Sequence, residues 1–591
     1  MSPGLLGPPE LQSSTTTPTN SDQPTTKSPP STPPSDQIQP LSSYISSGNP
    51  CLDFFHVAPE TPSSELIQRL QHAWQNSPQT TLKLICNLRG VRGTGKNDRE
   101  GFYGAVLWLH KNHPKTLALN VGPIARFGSL KDLLEILFRI LEGPEARKLM
   151  KTEWQSKKDA FFAQRGTKKA AGEDGLKKAK ALKAEKKAMK AKKAVDRYNH
   201  DPEYRFLYDC ICNVFADLLR KDMILLQQNY HDYISLAAKW CPSLDSSYDE
   251  YLLICESIGR RVFPRELYSE YEGVEEAHYA YKVRTRLRKE VLVPLRNALD
   301  LPEVYMCGKR WREIPYDRVA STAMNLGKKV FLKHDRDGFE DYIDEVKDGE
   351  STIAADSLLP HEIVSSFHDN SEEKLNEVAV LQWKRMVDDL SKQGKLINCT
   401  ALAYSVNGDD CISMMILVSE LSSDPWKGKV ITWNEDPEFY KIQGDEIVDK
   451  VKSVQEMKCD LRVDLQKVFD LILEYTIEEK LSEDEMLKRV FVFTDEEFAN
   501  VSVHPWETEY DMIKRRFFDR GLERVPEIVF WNVKGSLGVP VRCNQPGMAV
   551  VSGFSKNLLT LFLGDGGALT PESVMYGAIS SPEYDELVVY D

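Results

Sequence analysis

The sequence predicts a multidomain chain, with a long α-helical N-terminal region followed by a doubly wound α/β domain. Three observations carry this reading. Apolar residues recur three and four apart from residue 64 to residue 390, with little strand-like alternation. From residue 396 the pattern changes to short β-rich apolar runs separated by helical stretches, the signature of a parallel sheet covered on both faces. The charge changes at the same point. Residues 396–591 hold 19 Lys and Arg against 35 Asp and Glu, in a chain of formal net charge −13. An acidic C-terminal part on a mildly basic N-terminal part fits domains with different partners.

Size and composition bound the function classes. The 591 residues allow about four units of ~150 residues, or fewer large ones. With 41% hydrophobic and 28% charged residues, the chain is not fully disordered, collagenous or a pure coiled coil. No apolar run approaches the ~18 residues that span a bilayer. The start of the chain lacks the charged-then-apolar order of a secretory signal, and no membrane partner is expected. Eleven cysteines are dilute, and only Cys210 and Cys212 lie close together. This predicts a reducing compartment with mostly buried thiols, hence an intracellular protein, cytoplasmic or nuclear.

Residues 1–47 read as a disordered tail, because Ser, Thr and Pro fill 24 of the first 40 positions. Residues 48–395 read as an α-helical scaffold. Ser77 and Pro78 open one helix as N-cap and first residue, and Leu82, Ile85 and Leu88 form its apolar stripe. Phe102, Val106 and Leu109 mark the next. Further helices are expected over Ile234–Trp240, Tyr281–Leu299, Val319–Phe331 and Val378–Leu390. Many helices with short loops suggest either a helical-pair solenoid or an irregular helical domain. No clean repeat is present, so a solenoid would be degenerate and HEAT-like.

A Lys/Ala-rich insertion at about 151–200 interrupts this region. Thirteen basic and four acidic residues lie between Arg165 and Arg197, including Lys177, Lys178, Lys180, Lys183, Lys186, Lys187, Lys190, Lys192 and Lys193. Lys and Ala form helix readily, but no wide apolar face exists, so a solvated helix or mobile insertion is expected. Charge alone would let it bind RNA or an acidic partner, including the C-terminal domain itself. With no aromatic before Tyr198 in that span, base-specific readout is not expected.

Residues 396–591 read as the α/β domain. Strands are expected at Leu396–Val406, Lys429–Trp433, Arg489–Phe493, Glu527–Val533 and Met548–Gly553, with helices at Val463–Tyr475 and Trp506–Arg520.

Gly90-x-x-x-x-Gly95-Lys96 approaches a phosphate-binding loop. Asn97 follows where Ser or Thr would hold Mg²⁺, and a helix rather than a strand precedes it. Arg89, Arg92, Lys96 and Arg99 could still contact phosphates, since Gly permits close backbone approach and Arg forks onto oxygen pairs. His361 has no Cys or Ser partner in a recognisable arrangement and reads as structural. No catalytic constellation is present.

The motifs Gly48-Asn49-Pro50-Cys51-Leu52-Asp53-Phe54-Phe55, Arg89–Lys96, Ala237–Ser243, Leu358-Leu359-Pro360-His361-Glu362, Gln382-Trp383-Lys384-Arg385-Met386-Val387-Asp388 and Gln466–Asp470 resemble a plant family defined by the 2828 domain of unknown function. The resemblance covers residues 48–591. It implies a helical N-terminal region and a C-terminal domain similar to von Willebrand factor A domains. The plan is similar to the Ro autoantigen, a ring of helical repeats closed by such a domain that binds small RNAs, which is an analogy of fold.

In A-type domains, the resemblance implies, oxygen ligands above the sheet hold Mg²⁺ or Ca²⁺. Here Tyr404, Val406, Gly408 and Val463 fall at four of those positions, and only Asp495 matches. No metal and no cofactor are therefore expected. An alternative register through Asp409-Asp410-Cys411-Ile412-Ser413 would lengthen the first strand by five residues and shorten the following helix further.

The function expected is a non-enzymatic interaction or scaffold protein with no small-molecule substrate. An RNA-binding ribonucleoprotein component is the alternative, and a nucleotide-dependent enzyme the third reading.

Overall fold

The computed structural model describes residues 5–7, 46–163, 173–368, 373–404, 408–457, 459, 464–495, 506–534, 541–553, 555–563 and 569–591. The N-terminal region opens with α1 (Pro50–Phe55), α2 (Ser63–Asn76), α3 (Pro78–Arg89), α4 (Arg99–Asn112), α5 (Pro114–Leu119), α6 (Val121–Phe127), α7 (Leu130–Glu142), α8 (Ala146–Ala163), α9 (Glu173–His200) and α10 (Pro202–Gln227). Short helices follow: α11 (Ala237–Trp240), α12 (Ser247–Leu252), α13 (Ile254–Val262), α14 (Glu276–Arg286), α15 (Val293–Ala298) and α16 (Pro302–Cys307). The region closes with α17 (Ser321–His334), α18 (Arg336–Asp348), α19 (Pro360–His368) and α20 (Glu373–Gln393).

Local chemistry explains the boundaries. The Ser77 hydroxyl accepts from the Thr80 amide and Pro78 occupies the first turn of α3. Asp98 caps α4 through the Gly101 amide at 2.9 Å. The expected stripes of both helices are buried. The segment Ile234–Trp240 differs from expectation: only α11 is α-helical, after a 3₁₀ turn at His231–Tyr233. A π-helical stretch, Leu287–Leu292, joins α14 to α15.

Neighbouring helices pack together, but the contacts do not stop at neighbours. α10 is the hub and touches α5, α6, α7, α9, α11, α13 and α15. A solenoid repeat touches only its neighbours, so the region is an irregular helical domain rather than a HEAT-like array. Tyr204, Leu207, Ile211, Phe215 and Leu219 are all buried along the 26 residues of α10, a stripe too long for one short partner to cover.

The tail expectation is corrected at its described residues. Leu5 is buried in the helical core, and the Leu6 and Gly7 amides both donate to the Glu256 carboxylate at 3.2 Å. Ser47 is described as well, its amide donating to Asp53 at 2.9 Å, and residues 1–4 and 8–45 lie outside the described residues.

In the C-terminal region β1 (Cys399–Ala403), β4 (Arg489–Thr494), β5 (Glu527–Asn532) and β6 (Met548–Ser552) form a parallel sheet in the order β1-β4-β5-β6. Ala401 pairs with Phe491, Phe491 with Val529, and Val529 with Ala549. Strands β2 (Lys429–Ile431) and β3 (Phe439–Lys441) make a separate antiparallel pair. The helices are α21 (Asp409–Leu421), α22 (Ile447–Gln455), α23 (Leu465–Glu478), α24 (Trp506–Asp519) and α25 (Pro571–Ala578). Alternate strand residues serve two cores. Leu402, Val492 and Phe530 pack with α23 and α24, whereas Ala401, Phe491 and Trp531 join a core continuous with the helical region. Both faces are thus covered, as near-continuous apolar strands require. No described helix is long and apolar enough to cross a membrane.

Candidate nucleic-acid interface

The Gly90–Lys96 loop is a junction between the two regions, not an open phosphate cradle. The Ser555 hydroxyl donates to the Gly95 carbonyl at 3.0 Å, Thr560 donates to Gly93, and Thr94 donates to the Ala578 carbonyl at 2.5 Å. A Cβ on Gly95 would lie 2.3 Å from the Gly90 carbonyl oxygen, so the glycines let the loop fold on itself.

Two of its expected phosphate contacts are corrected. Arg89 is buried, with Nε on Asp132 at 3.0 Å and Nη1 on Asn97 at 3.1 Å. Lys96 is buried too. Its Nζ donates to the carbonyls of Phe55 and Val57 and lies 4.7 Å from the Phe55 ring centre. Burial pushes the amine down to about 7. Arg92 and Arg99 are exposed.

Asp495 follows β4 at the carboxyl edge of the sheet. Lys534, just after β5, places Nζ 3.0 Å from Asp495 Oδ2, and that carboxylate raises the lysine. Gly408 brings no ligand, and the Tyr404 ring meets Trp433 edge-on at 5.4 Å. Val406 and Val463 lie outside the described residues. Among the described residues no three His, Cys, Asp or Glu side chains are grouped to hold a metal. The residues therefore do not fit a cation, since an ammonium already sits on Asp495. The alternative register is corrected: Asp409 and Asp410 form the first turn of α21, where Asp409 accepts from Ser365 at 2.7 Å and Asp410 faces His361 at 3.2 Å. Burial pushes the thiols of Cys212 and Cys399 up to about 12, the pattern of inert core cysteines.

The Lys/Ala segment is ordered into α9, and its C-terminal half is docked. Ala191, Ala194 and Tyr198 are buried, a narrow apolar seam that composition alone concealed. Tyr198 donates to Asp209 at 3.0 Å and so is not a free stacking platform. Lys187, Lys190 and Lys193, spaced one helical turn apart, pair with Asp245 (2.9 Å), Glu250 (3.1 Å) and Glu142 (3.1 Å). Lys190 also lies 4.0 Å from the Tyr251 ring centre. These acids belong to the helical region, so the segment does not dock on the acidic C-terminal part through them.

Lys183 and Lys186 lie on the same face as Lys187 and Lys190, nearer the helix N-terminus, and of the remaining lysines only Lys192 lies opposite. Lys180, Lys183, Lys186 and Lys192 are exposed, with no ion pair among the described residues. The side chains of Lys177 and Lys178 lie outside the described residues. Lys183, Lys186, Lys187 and Lys190 line an open groove of about 340 Å³ with Leu182 and Glu250.

Most of α8 falls in the stretch expected as a solvated helix or mobile insertion, but none of its residues is singled out there. Its base is anchored: Arg147 donates to Glu135 at 2.7 Å and stacks 4.0 Å from the Phe138 ring centre. Burial opposes ionisation of Glu135, but Arg147, Tyr248 and Arg139 hold it below the usual carboxylate range. Beyond that anchor residues 151–160 are all exposed. Trp154 is 60% exposed, with the Lys158 ammonium 5.0 Å from its ring centre. Its signal was an aromatic among lysines just upstream of the span counted as basic.

These features define a two-part helical and α/β protein carrying a basic helical arm. Residues 41–396 match a domain of unknown function, DUF2828, and residues 388–585 match a second, DUF7788. The first match covers more than half of the chain, which belongs to the DUF2828 family, as the motifs at Gly48–Phe55 and Gln382–Asp388 imply. The chain is also similar to Uncharacterized protein L728 of Acanthamoeba polyphaga mimivirus, 24% identical over 544 residues, 87% of this chain and 82% of that one. No solved structure matches.

Proposed function

We propose that the protein is a non-enzymatic interaction protein that contacts RNA through the unpaired lysines of its α8–α9 arm. The helical body and the α/β domain form the frame behind it. One observation supports this reading above the rest. The lysines of α9 divide into an inner set, Lys187, Lys190 and Lys193, paired with Asp245, Glu250 and Glu142, and an outer set, Lys180, Lys183, Lys186 and Lys192, exposed and without an ion pair among the described residues. An unpaired set of cations on a docked helix is the electrostatic footprint of a polyanion partner. The reading takes the C-terminal part as a von Willebrand A-like domain in which Lys534 stands where a cation would. It sets aside nucleotide chemistry, because Lys96 spends its donors on the Phe55 and Val57 carbonyls.

The test is fluorescence anisotropy of a labelled single-stranded RNA at several salt concentrations. The parent is compared with a variant carrying Lys180→Glu, Lys183→Glu, Lys186→Glu and Lys192→Glu. Each phosphate contact contributes a slope near −0.7, so the variant's salt dependence should flatten by roughly three units. No binding by the parent, or equal slopes, overturns the proposal.

A further inference from the structure

We infer that the nucleic acid this arm takes is single-stranded, with at least one unstacked base lying on Trp154 of α8. The inference rests on the RNA reading above and adds the chemical class of the ligand. Its evidence is separate from the lysine sets of α9.

α8 is 18 residues long and no described element packs along residues 151–160. A helix of that length without tertiary packing is marginal in water. Helices in folded proteins hold their apolar side chains against a neighbour, yet Leu149 and Trp154 are each at least 60% exposed on α8. The missing cover must suit the side chains around Trp154. Lys151 and Lys158 are exposed beside it, Lys158 lies over its face, and Lys157 pairs with Glu153 at 3.0 Å. A flat aromatic surface edged by ammonium groups matches a base and its phosphate: the ring stacks on the base and the lysines meet the backbone. A duplex hides its base faces, so it would meet the lysines and leave the indole uncovered.

The two helices are set up to share one strand. Both are fixed to α7, α8 by Arg147 on Glu135 and α9 by Lys193 on Glu142. Trp154 lies seven residues from the first anchor and Lys186 seven residues from the second. At ~1.5 Å per residue each stands about 10 Å along its own helix, so the stacking group and the outer lysines occur at matching distances from a common base.

The experiment uses the full chain and four probes: a uridine-rich RNA 20-mer, a phosphate-matched abasic oligomer, an RNA duplex of equal length, and vesicles rich in phosphatidylserine. Trp154→Ala should weaken binding of the 20-mer by roughly 5- to 150-fold, the range for loss of one stacked base. Trp154→Phe should retain most of the affinity. Abasic and duplex probes should bind the parent and Trp154→Ala alike. Because Trp154 has no partner among the described residues beyond the exposed Lys158, circular dichroism and the melting temperature should match the parent.

If Trp154→Ala binds the 20-mer as the parent does while the four-lysine variant is weakened, the stacking inference fails and the RNA reading stands. Equal losses on the 20-mer and the duplex also overturn it, as does a Trp154-dependent affinity for vesicles that exceeds that for the 20-mer. No binding of any nucleic acid by the parent removes both.

Discussion

The Ser555 hydroxyl donates to the carbonyl oxygen of Gly95 at 3.0 Å, across 460 residues of sequence, and the next residue on each side is a buried lysine. Lys96 donates to the carbonyls of Phe55 and Val57. Lys556 donates to those of Ala355, Asp356 and Leu358 at 2.7–2.9 Å. Each ammonium ties one segment of the helical region to the loop or 3₁₀ turn that crosses the junction. The glycine-rich loop thus serves as a fastener between two regions that share a core.

Gly95→Ala should be severely destabilising. Its Cβ would lie 2.3 Å from the Gly90 carbonyl oxygen and 2.3 Å from the Gly90 Cα, both backbone atoms that cannot rotate away. Overpacking of this kind costs about 3 kcal/mol. The urea midpoint of the full chain checks it, and an unchanged midpoint would mean that the loop has room the geometry denies.

The two buried lysines should make stability rise with pH. Burial brings Lys96 to about 7 and Lys556 to about 8, against 10.5 for a free lysine. In the unfolded chain both remain protonated up to the free value, so between those limits the native state binds fewer protons. The penalty is full below about pH 7 and is relieved as pH rises toward the unfolded value. Between pH 7 and pH 9 the urea midpoint of the parent should therefore climb more than that of Lys96→Met, which has no proton to shed. Parallel gains in the two proteins would show that Lys96 does not titrate in this window.

How much of this was legible in the sequence follows from the range of each interaction. The α3 start at Ser77-Pro78 and the strands β4, β5 and β6 depend on neighbours in sequence, and pattern alone places them. The burial of Arg89 depends on Asp132 and that of Lys96 on two carbonyls of the α1 end, partners that no local window contains. The lysines of α9 look equivalent in composition. They separate only because Glu142, Asp245 and Glu250 lie on other elements. Nothing in the sequence marks Trp154 as exposed, and only its place on the part of α8 beyond the Arg147 anchor reveals it.

Asp495 and Lys534 should act as a pair that makes the C-terminal domain indifferent to divalent cations. The full chain is the right material, since one face of the sheet is packed into the helical core. Melting temperatures in EDTA and in millimolar Mg²⁺ should coincide. Lys534→Ala should cost about 1 kcal/mol, a modest figure because the lysine is partly exposed. A Mg²⁺-dependent rise of several degrees in the parent, abolished by Asp495→Ala, would show instead that the carboxylate holds a metal.

The inner and outer lysines of α9 should respond differently to the same charge reversal. Lys187→Glu with Lys190→Glu sets new carboxylates against Asp245 and Glu250, which lie 2.9 and 3.1 Å from the present ammonium groups. Like charges at that range repel, and two half-buried ion pairs are lost, together about 1–2 kcal/mol of docking energy. The seam of Ala191, Ala194 and Tyr198 is buried and should keep the C-terminal half of α9 in place. Release should therefore be confined to the turns before Lys190. Hydrogen exchange read by mass spectrometry should show faster amide exchange across residues 180–189 and unchanged exchange across 194–200. The outer set, Lys180→Glu, Lys183→Glu, Lys186→Glu and Lys192→Glu, makes no ion pair with the frame, so its exchange pattern should follow the parent and its stability should stay within ~0.5 kcal/mol. If the outer set loosens the helix as much as the inner pair does, the division of α9 into a docked set and a free set is wrong, and with it the basis for assigning the free set to an external polyanion.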